Sequence, residues 1–219
     1  MDLTVIKVLK KDIFGKIELA KLTDNSLVIC RNYSCAKFYG RPFASYLAYR
    51  ERKILKIIEH LNSGNLPRLI HHEKGWHVRS YVEGVPLNQR QIKDAIYYEN
   101  AKKVLNSIHS CGVVHNDIEK PENWLVIGEN NAGIIDFQLA LFFPNKGKLF
   151  RTFAKEDLRH LIKQKARFCP EHLTGEEKVI LGNKTFPARI WMKYFKPIYN
   201  FVTRRILGYS DRSRSQYSR

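Results

Sequence analysis

The chain has 219 residues, 44% apolar and 12% aromatic, a composition that excludes an intrinsically disordered protein and fits one large domain or two small ones. Its 38 Lys and Arg against 21 Asp and Glu give a formal charge of +17, a single-sign field that attracts phosphate-bearing or acidic partners. No apolar run reaches the roughly 18 residues needed to span a bilayer, and the opening "MDLTVIKVLKKD" lacks the order of a secretory signal.

These features predict a cytoplasmic or membrane-peripheral protein without a transmembrane segment. The four cysteines, Cys30, Cys35, Cys111 and Cys169, form no CxxC pair and read as free thiols. The charge is uneven. Residues 151–219 hold 16 Lys and Arg against 6 Asp and Glu. That basic last third predicts an anionic partner: RNA, lipid head groups or an acidic protein.

The first third is β-rich. "LTVIKVLKK", "GKIELAKL" and "SLVICRNYS" alternate as strands, with "TDNS" as the turn between the last two and Gly15 as the turn between the first two. A helix follows. Pro42 suits its first turn, and Ala44, Leu47, Ala48, Ile54, Leu55, Ile58 and Leu61 recur at helical spacing before "NSG" stops it. Glu51 falls on that apolar stripe, and a carboxylate there must find a cation or take up a proton.

"PRLIHHEKGWHVRSYVEG" reads as two more strands. A second amphipathic helix carries Ile92, Ala95, Ile96, Ala101, Val104, Leu105 and Ile108 and ends near "SCG". Next comes the loop "HNDIEKPEN", then a hairpin made of "NWLVI", the turn "GENNAG" and "GIIDF". From about residue 151 the chain reads as short helices, among them "KEDLRHLIKQKARF", broken by Pro170, Gly182, Pro187 and Pro197. The tail "TRRILGYSDRSRSQYSR" reads as a basic, flexible segment.

The hairpin predicts that Asn123, at the start of one strand, and Asp136, at the end of its partner, lie side by side. An amide oxygen and a carboxylate converging on one point suit Mg²⁺, which takes hard oxygen ligands and keeps waters and substrate phosphates. Asp117, at the head of the loop, is then positioned to orient or deprotonate an attacking hydroxyl. Lys120 is positioned to neutralise a phosphoryl group in transfer. Phosphoryl transfer needs this set: positioning, metal and cations.

"HNDIEKPEN…IIDFQ" resembles the catalytic loop and metal-binding motif of the protein-kinase-like superfamily. "VICRNYS", "AYRERKILKII", "IHSCGVVHND" and "KEDLRHLIKQK" extend the resemblance in order from about residue 10 to at least 165. It is greatest to small bacterial kinases related to RIO-type serine/threonine kinases and to the lipopolysaccharide (Kdo/heptose) kinases.

The resemblance implies an α+β, bilobal fold: a β-rich N-lobe with one helix over 1–82, a mostly helical C-lobe over 83–202 and a basic tail over 203–219. It implies ATP and Mg²⁺ as cofactors. Asp117 takes the place of the catalytic Asp, Lys120 that of the loop lysine, and Asn123 and Asp136 those of the metal ligands. Glu51 takes the place of the helix glutamate that pairs with a third-strand cation, here Arg31, with Lys37 as the rival. Gly15 and Lys16 stand where a glycine-rich loop covers phosphates, and the Ser80 carbonyl and Val82 amide stand where adenine is held.

The chain departs from the usual pattern in four ways. It carries Arg31 in place of lysine, a single glycine in the phosphate loop, one extra residue between Asp117 and Asn123, and Gln138 in place of glycine. The implied acceptor is a protein or saccharide hydroxyl. The other readings are a nucleotide-binding scaffold without transfer and a nucleic-acid-binding module.

Overall fold

The computed structural model describes residues 2–61, 63–90 and 92–182. Readings that fall on 183–219, including the helix breaks at Pro187 and Pro197, the basic tail and most of the basic last third, lie outside the described residues. The first three strands form where alternation predicts them: β1 (Leu3–Asp12), β2 (Gly15–Leu22) and β3 (Leu27–Asn32). With β4 (Leu69–Glu73) and β5 (Trp76–Ser80) they make an antiparallel sheet in the order β1-β2-β3-β5-β4. The β1–β2 turn is Ile13 and Phe14, whereas Gly15 already pairs with Asp12 as the first residue of β2. Gly15 is needed there for another reason. Its φ is +125°, and a Cβ would stand 2.3 Å from the Asn32 carbonyl oxygen.

Helix α1 (Arg41–Ile58) has Pro42 in its first turn and buries Ala44, Leu47, Ala48, Glu51, Ile54, Leu55 and Ile58, the stripe that its periodicity predicts. Strand β6 (Val85–Pro86) then leads to α2 (Ala95–Ser110). The α2 phase differs from the expected one. The Asp94 side chain caps the helix by accepting from the Ile96 amide at 2.9 Å, so the helix starts after Ile92. Ile96 is therefore 52% exposed, and Tyr97 and Tyr98 fill the core instead.

A short strand β7 (Val113–Val114) precedes the "HNDIEKPEN" loop. The hairpin beyond the loop is β8 (Trp124–Ile127) and β9 (Asn131–Ile134), in the register Trp124↔Ile134. Strand β10 (Leu141–Phe142) pairs back with β7. Helix α3 (Lys148–Phe168) starts earlier than the sequence pattern suggests, and α4 (Gly175–Gly182) follows. One apolar cluster spans α1, α2 and the hairpin, with Leu55, Tyr97, Leu105, Trp124, Ile134 and Phe137 fully buried. This cluster fixes the hairpin between the two helices and so fixes the loops at its open end. No helix of the described residues is long and apolar enough to cross a membrane.

Candidate active site

Two polar constellations meet near Asp136, one on the sheet and α1, the other on the loop before β8. The first is built on Glu51, which is 1% exposed. Arg31 on β3 and His77 on β5 are register partners, so their side chains leave the same face of the sheet, towards α1. Arg31 Nη1 and His77 Nε2 each lie 3.4 Å from Glu51 Oε2, and Arg79 Nε lies 3.4 Å from Oε1. His77 is fully buried, and neither ring nitrogen makes a well-formed hydrogen bond among the described residues.

Burial alone pushes the Glu51 carboxyl up. His77, Arg79 and Arg31 together outweigh burial and hold it down at about 2. Lys37, the rival cation, instead stands over the Tyr39 ring at 5.9 Å.

A depressed carboxyl contributes stability above its unfolded value, near 4.5, and loses it as the pH falls towards 2. Arg79→Met removes one of the two guanidiniums and returns this carboxyl towards its ordinary range. The acid-unfolding midpoint of Arg79→Met, followed by circular dichroism, is therefore expected at a higher pH than that of the parent. Coincident curves would remove Arg79 from the pairing.

The second constellation is the loop. Asp117 Oδ2 accepts from Lys120 Nζ at 2.8 Å and from Asn123 Nδ2 at 3.1 Å, and the same amide donates to the Asp117 carbonyl at 2.9 Å. The extra residue between Asp117 and Asn123 is taken up in a tight turn. Lys120 N donates to Asp117 O at 3.4 Å, and Asn123 N donates to Lys120 O at 3.1 Å. With its nitrogen turned to Asp117, Asn123 keeps its amide oxygen for another partner.

The Ile135 amide donates to the Asn123 carbonyl at 3.0 Å, which sets Asp136 one residue from the point of contact with Asn123. Asp136 adopts left-handed dihedrals, φ 68° and ψ 67°, a conformation uncommon outside glycine and one that concentrates at functional sites. Its Oδ1 is buried without a hydrogen-bond partner among the described residues. Burial, then Glu51 and Asp117, pushes its carboxyl up, while Arg31 and Arg79 pull it down. A buried carboxylate oxygen without a partner among the described residues, on the segment whose backbone bonds Asn123, is the kind of hard oxygen donor that a divalent cation takes.

The loop is held from below by Asp157 on α3. Its Oδ2 accepts from the His115 amide at 2.7 Å and from His109 Nε2 at 3.1 Å, and its Oδ1 accepts from the Asn116 amide at 2.9 Å. The His115 ring lies 3.0 Å from the Ile135 carbonyl through Nε2 and packs on Phe137 at 4.8 Å. Arg50 of α1 donates to the carbonyls of Leu139 at 3.2 Å and Ala140 at 2.8 Å.

The other expected residues lie in different settings. Lys16 pairs with Glu18 at 2.6 Å, and both leave the sheet on the face opposite Arg31. Gly15 is buried against Asn32 and Tyr33. Ser80 is tied to Arg68 at both its amide, 2.8 Å, and its hydroxyl, 2.9 Å. Ser80 also lines a pocket of about 200 Å³ with Ser63, Gly64, Leu66, Arg68 and Tyr81. Val82 is buried over β9, where a Cβ on Gly133 would meet its Cγ1 at 3.4 Å. Sequence reasoning missed Arg79, His77 and Asp157.

No protein-family model matches the chain. Among characterised proteins it is 29% identical to the serine/threonine-protein kinase ppk34 of Schizosaccharomyces pombe over 159 residues, 67% of this chain and 41% of that protein. It is 29% identical to CBL-interacting serine/threonine-protein kinase 16 of Arabidopsis thaliana over 120 residues, 51% of this chain and 25% of that protein. It is 27% identical to cyclin-dependent kinase-like 2 of Oryctolagus cuniculus over 116 residues, 49% of this chain and 20% of that protein. These similarities support a kinase-like family. The α+β architecture, with its β-rich N-terminal part, is compatible with a kinase-like fold. The chain spans well under half the length of each of these relatives, between 20% and 41%.

Proposed function

We propose that the chain is an ATP- and Mg²⁺-dependent phosphotransferase acting on a hydroxyl, most closely a RIO-like protein serine/threonine kinase. The observation that carries this reading is that Asp136, with a buried Oδ1 lacking a partner among the described residues, follows the Ile135 amide bonded to the Asn123 carbonyl, while the Asn123 side chain bonds Asp117. Asp136 and Asn123 would hold Mg²⁺, which neutralises phosphate charge and orients the terminal phosphoryl group. Asp117 accepts the proton of the attacking hydroxyl with the carboxylate oxygen not used by Lys120 and Asn123. Lys120, 60% exposed at the side chain, offsets negative charge at the site of transfer.

Arg31 faces the phosphates, and Arg79 keeps Glu51 neutralised when Arg31 turns to them. The Ser80 carbonyl and Val82 amide hold the adenine edge. In this reading residues 1–82 form the N-lobe and 83–202 the C-lobe. A lipopolysaccharide-core sugar is the rival acceptor.

The test is transfer of labelled phosphate from Mg-ATP to the protein itself, to generic protein substrates, and to lipopolysaccharide-core saccharides. Incorporation that needs Mg²⁺ is the expected result. Tight nucleotide binding without transfer to any of these acceptors would favour a scaffold instead.

A further inference from the structure

The outer face of α1 carries a second surface that the phosphotransfer reading does not use. Phe43, Tyr46 and Tyr49 stand at successive turns of this helix and are 49%, 54% and 55% exposed. Phe38 and Tyr39, in the loop just before it, are 83% and 49% exposed. Of the charges of α1, Arg41, Lys53 and Lys56 are exposed, Arg50 and Arg52 are half-buried and bonded to the Leu139 and Ala140 carbonyls and to the Tyr33 hydroxyl, and the one acid, Glu51, is buried on the opposite side. The solvent-facing charge of this helix is therefore of one sign, interleaved with large rings.

We propose that this face docks on an anionic lipid bilayer, with the rings in the headgroup region and the cations on lipid phosphates. Exposed aromatic surface flanked by Lys and Arg is the composition of a peripheral membrane contact. Single-stranded nucleic acid is the competing anion, and it requires open ring faces on which bases stack. Four of these rings already have neighbours. Arg50 lies over Tyr46 at 5.6 Å and Lys37 over Tyr39 at 5.9 Å; Phe38 meets Tyr39 edge-on at 5.3 Å, and Phe43 tilts against Phe14 at 5.5 Å. Rings so occupied are better suited to insertion among headgroups than to stacking with bases.

The test is co-sedimentation of the full chain with phosphatidylcholine vesicles, with and without one third phosphatidylglycerol. The parent is expected to bind only the anionic vesicles. Phe38→Ser/Tyr49→Ser is expected to lower that binding at least tenfold, and Phe38→Trp/Tyr49→Trp to raise it severalfold, with thermal melts matching the parent's. Neither residue belongs to the proposed phosphotransfer machinery, so transfer from Mg-ATP serves as an independent control. Vesicle binding that is unchanged in both double variants would overturn the proposal, because basic residues elsewhere would then account for it. A parent that ignores anionic vesicles but binds a single-stranded RNA oligomer through these residues would overturn it as well.

Discussion

On the proposed reading, Asp136→Ala is expected to weaken Mg-nucleotide binding by about 100-fold, because it removes one of the two oxygen donors assigned to the ion. Asp117→Asn, in the role of general base proposed for it, is expected to leave that binding near the parent's value and to lower kcat by about 10² to 10⁴. The difference arises from the two environments. Asp136 holds left-handed dihedrals and a buried Oδ1 without a partner among the described residues, whereas Asp117 is already paired with Lys120 and Asn123. Calorimetric titration with Mg-ATP, run beside steady-state phosphate transfer, separates the two effects. Equal loss of binding in both variants would contradict the division of roles. Burial also raises the Asp136 carboxyl, so on the proposed reading protons are expected to compete with the ion at a higher pH than for an ordinary aspartate.

Asp157→Ala has the largest expected effect on stability. Asp157 is 2% exposed, and its two oxygens receive the His115 and Asn116 amides and His109 Nε2. Truncation leaves the buried His115 N–H and the partly buried Asn116 N–H without their acceptor, at a cost of about 2–4 kcal/mol. For a chain of this size that corresponds to a fall in Tm on the order of 10 °C. Asn116, at φ 61°, holds a conformation that these bonds help to impose. Activity at temperatures where the variant remains folded is therefore expected to fall too, because Asp117 is the next residue. Asp157→Asn keeps one acceptor and is expected to lie between Ala and the parent. A melting temperature unchanged in the Ala variant would show that water or a rotated neighbour replaces the carboxylate.

Local pattern made much of the fold legible. The first three strands and the buried stripe of α1 follow from alternation, helical spacing and turn residues, each a property of fewer than about 20 consecutive residues. The hairpin forms, but β9 begins at Asn131, inside the expected turn, and ends at Ile134, so Asp136 lies beyond the strand and not at its end. The phase of α2 was not legible, because a cap at Asp94 overrode the run of apolar residues that begins at Ile92. Glu51 was legible as a carboxylate in need of a cation because it sits on an apolar stripe. Asp157 gives the same signal on α3, four residues before Leu161 on a face that also buries Phe150. Arg79 and His77 could not be chosen in advance: which polar residues of a strand face a given helix depends on strand register across the sheet. The geometry of the six-residue step from Asp117 to Asn123 could not be read either, since a turn bonded through Lys120 shortens it in space.

Arg50 and Glu51 are consecutive on α1, yet they serve different parts of the molecule. Glu51 gathers cations from the sheet, whereas Arg50 clasps the main chain just beyond Asp136. Adjacent residues of one helix thus anchor both the sheet cations and the main chain after Asp136, so a single rigid element sets where each of them stands.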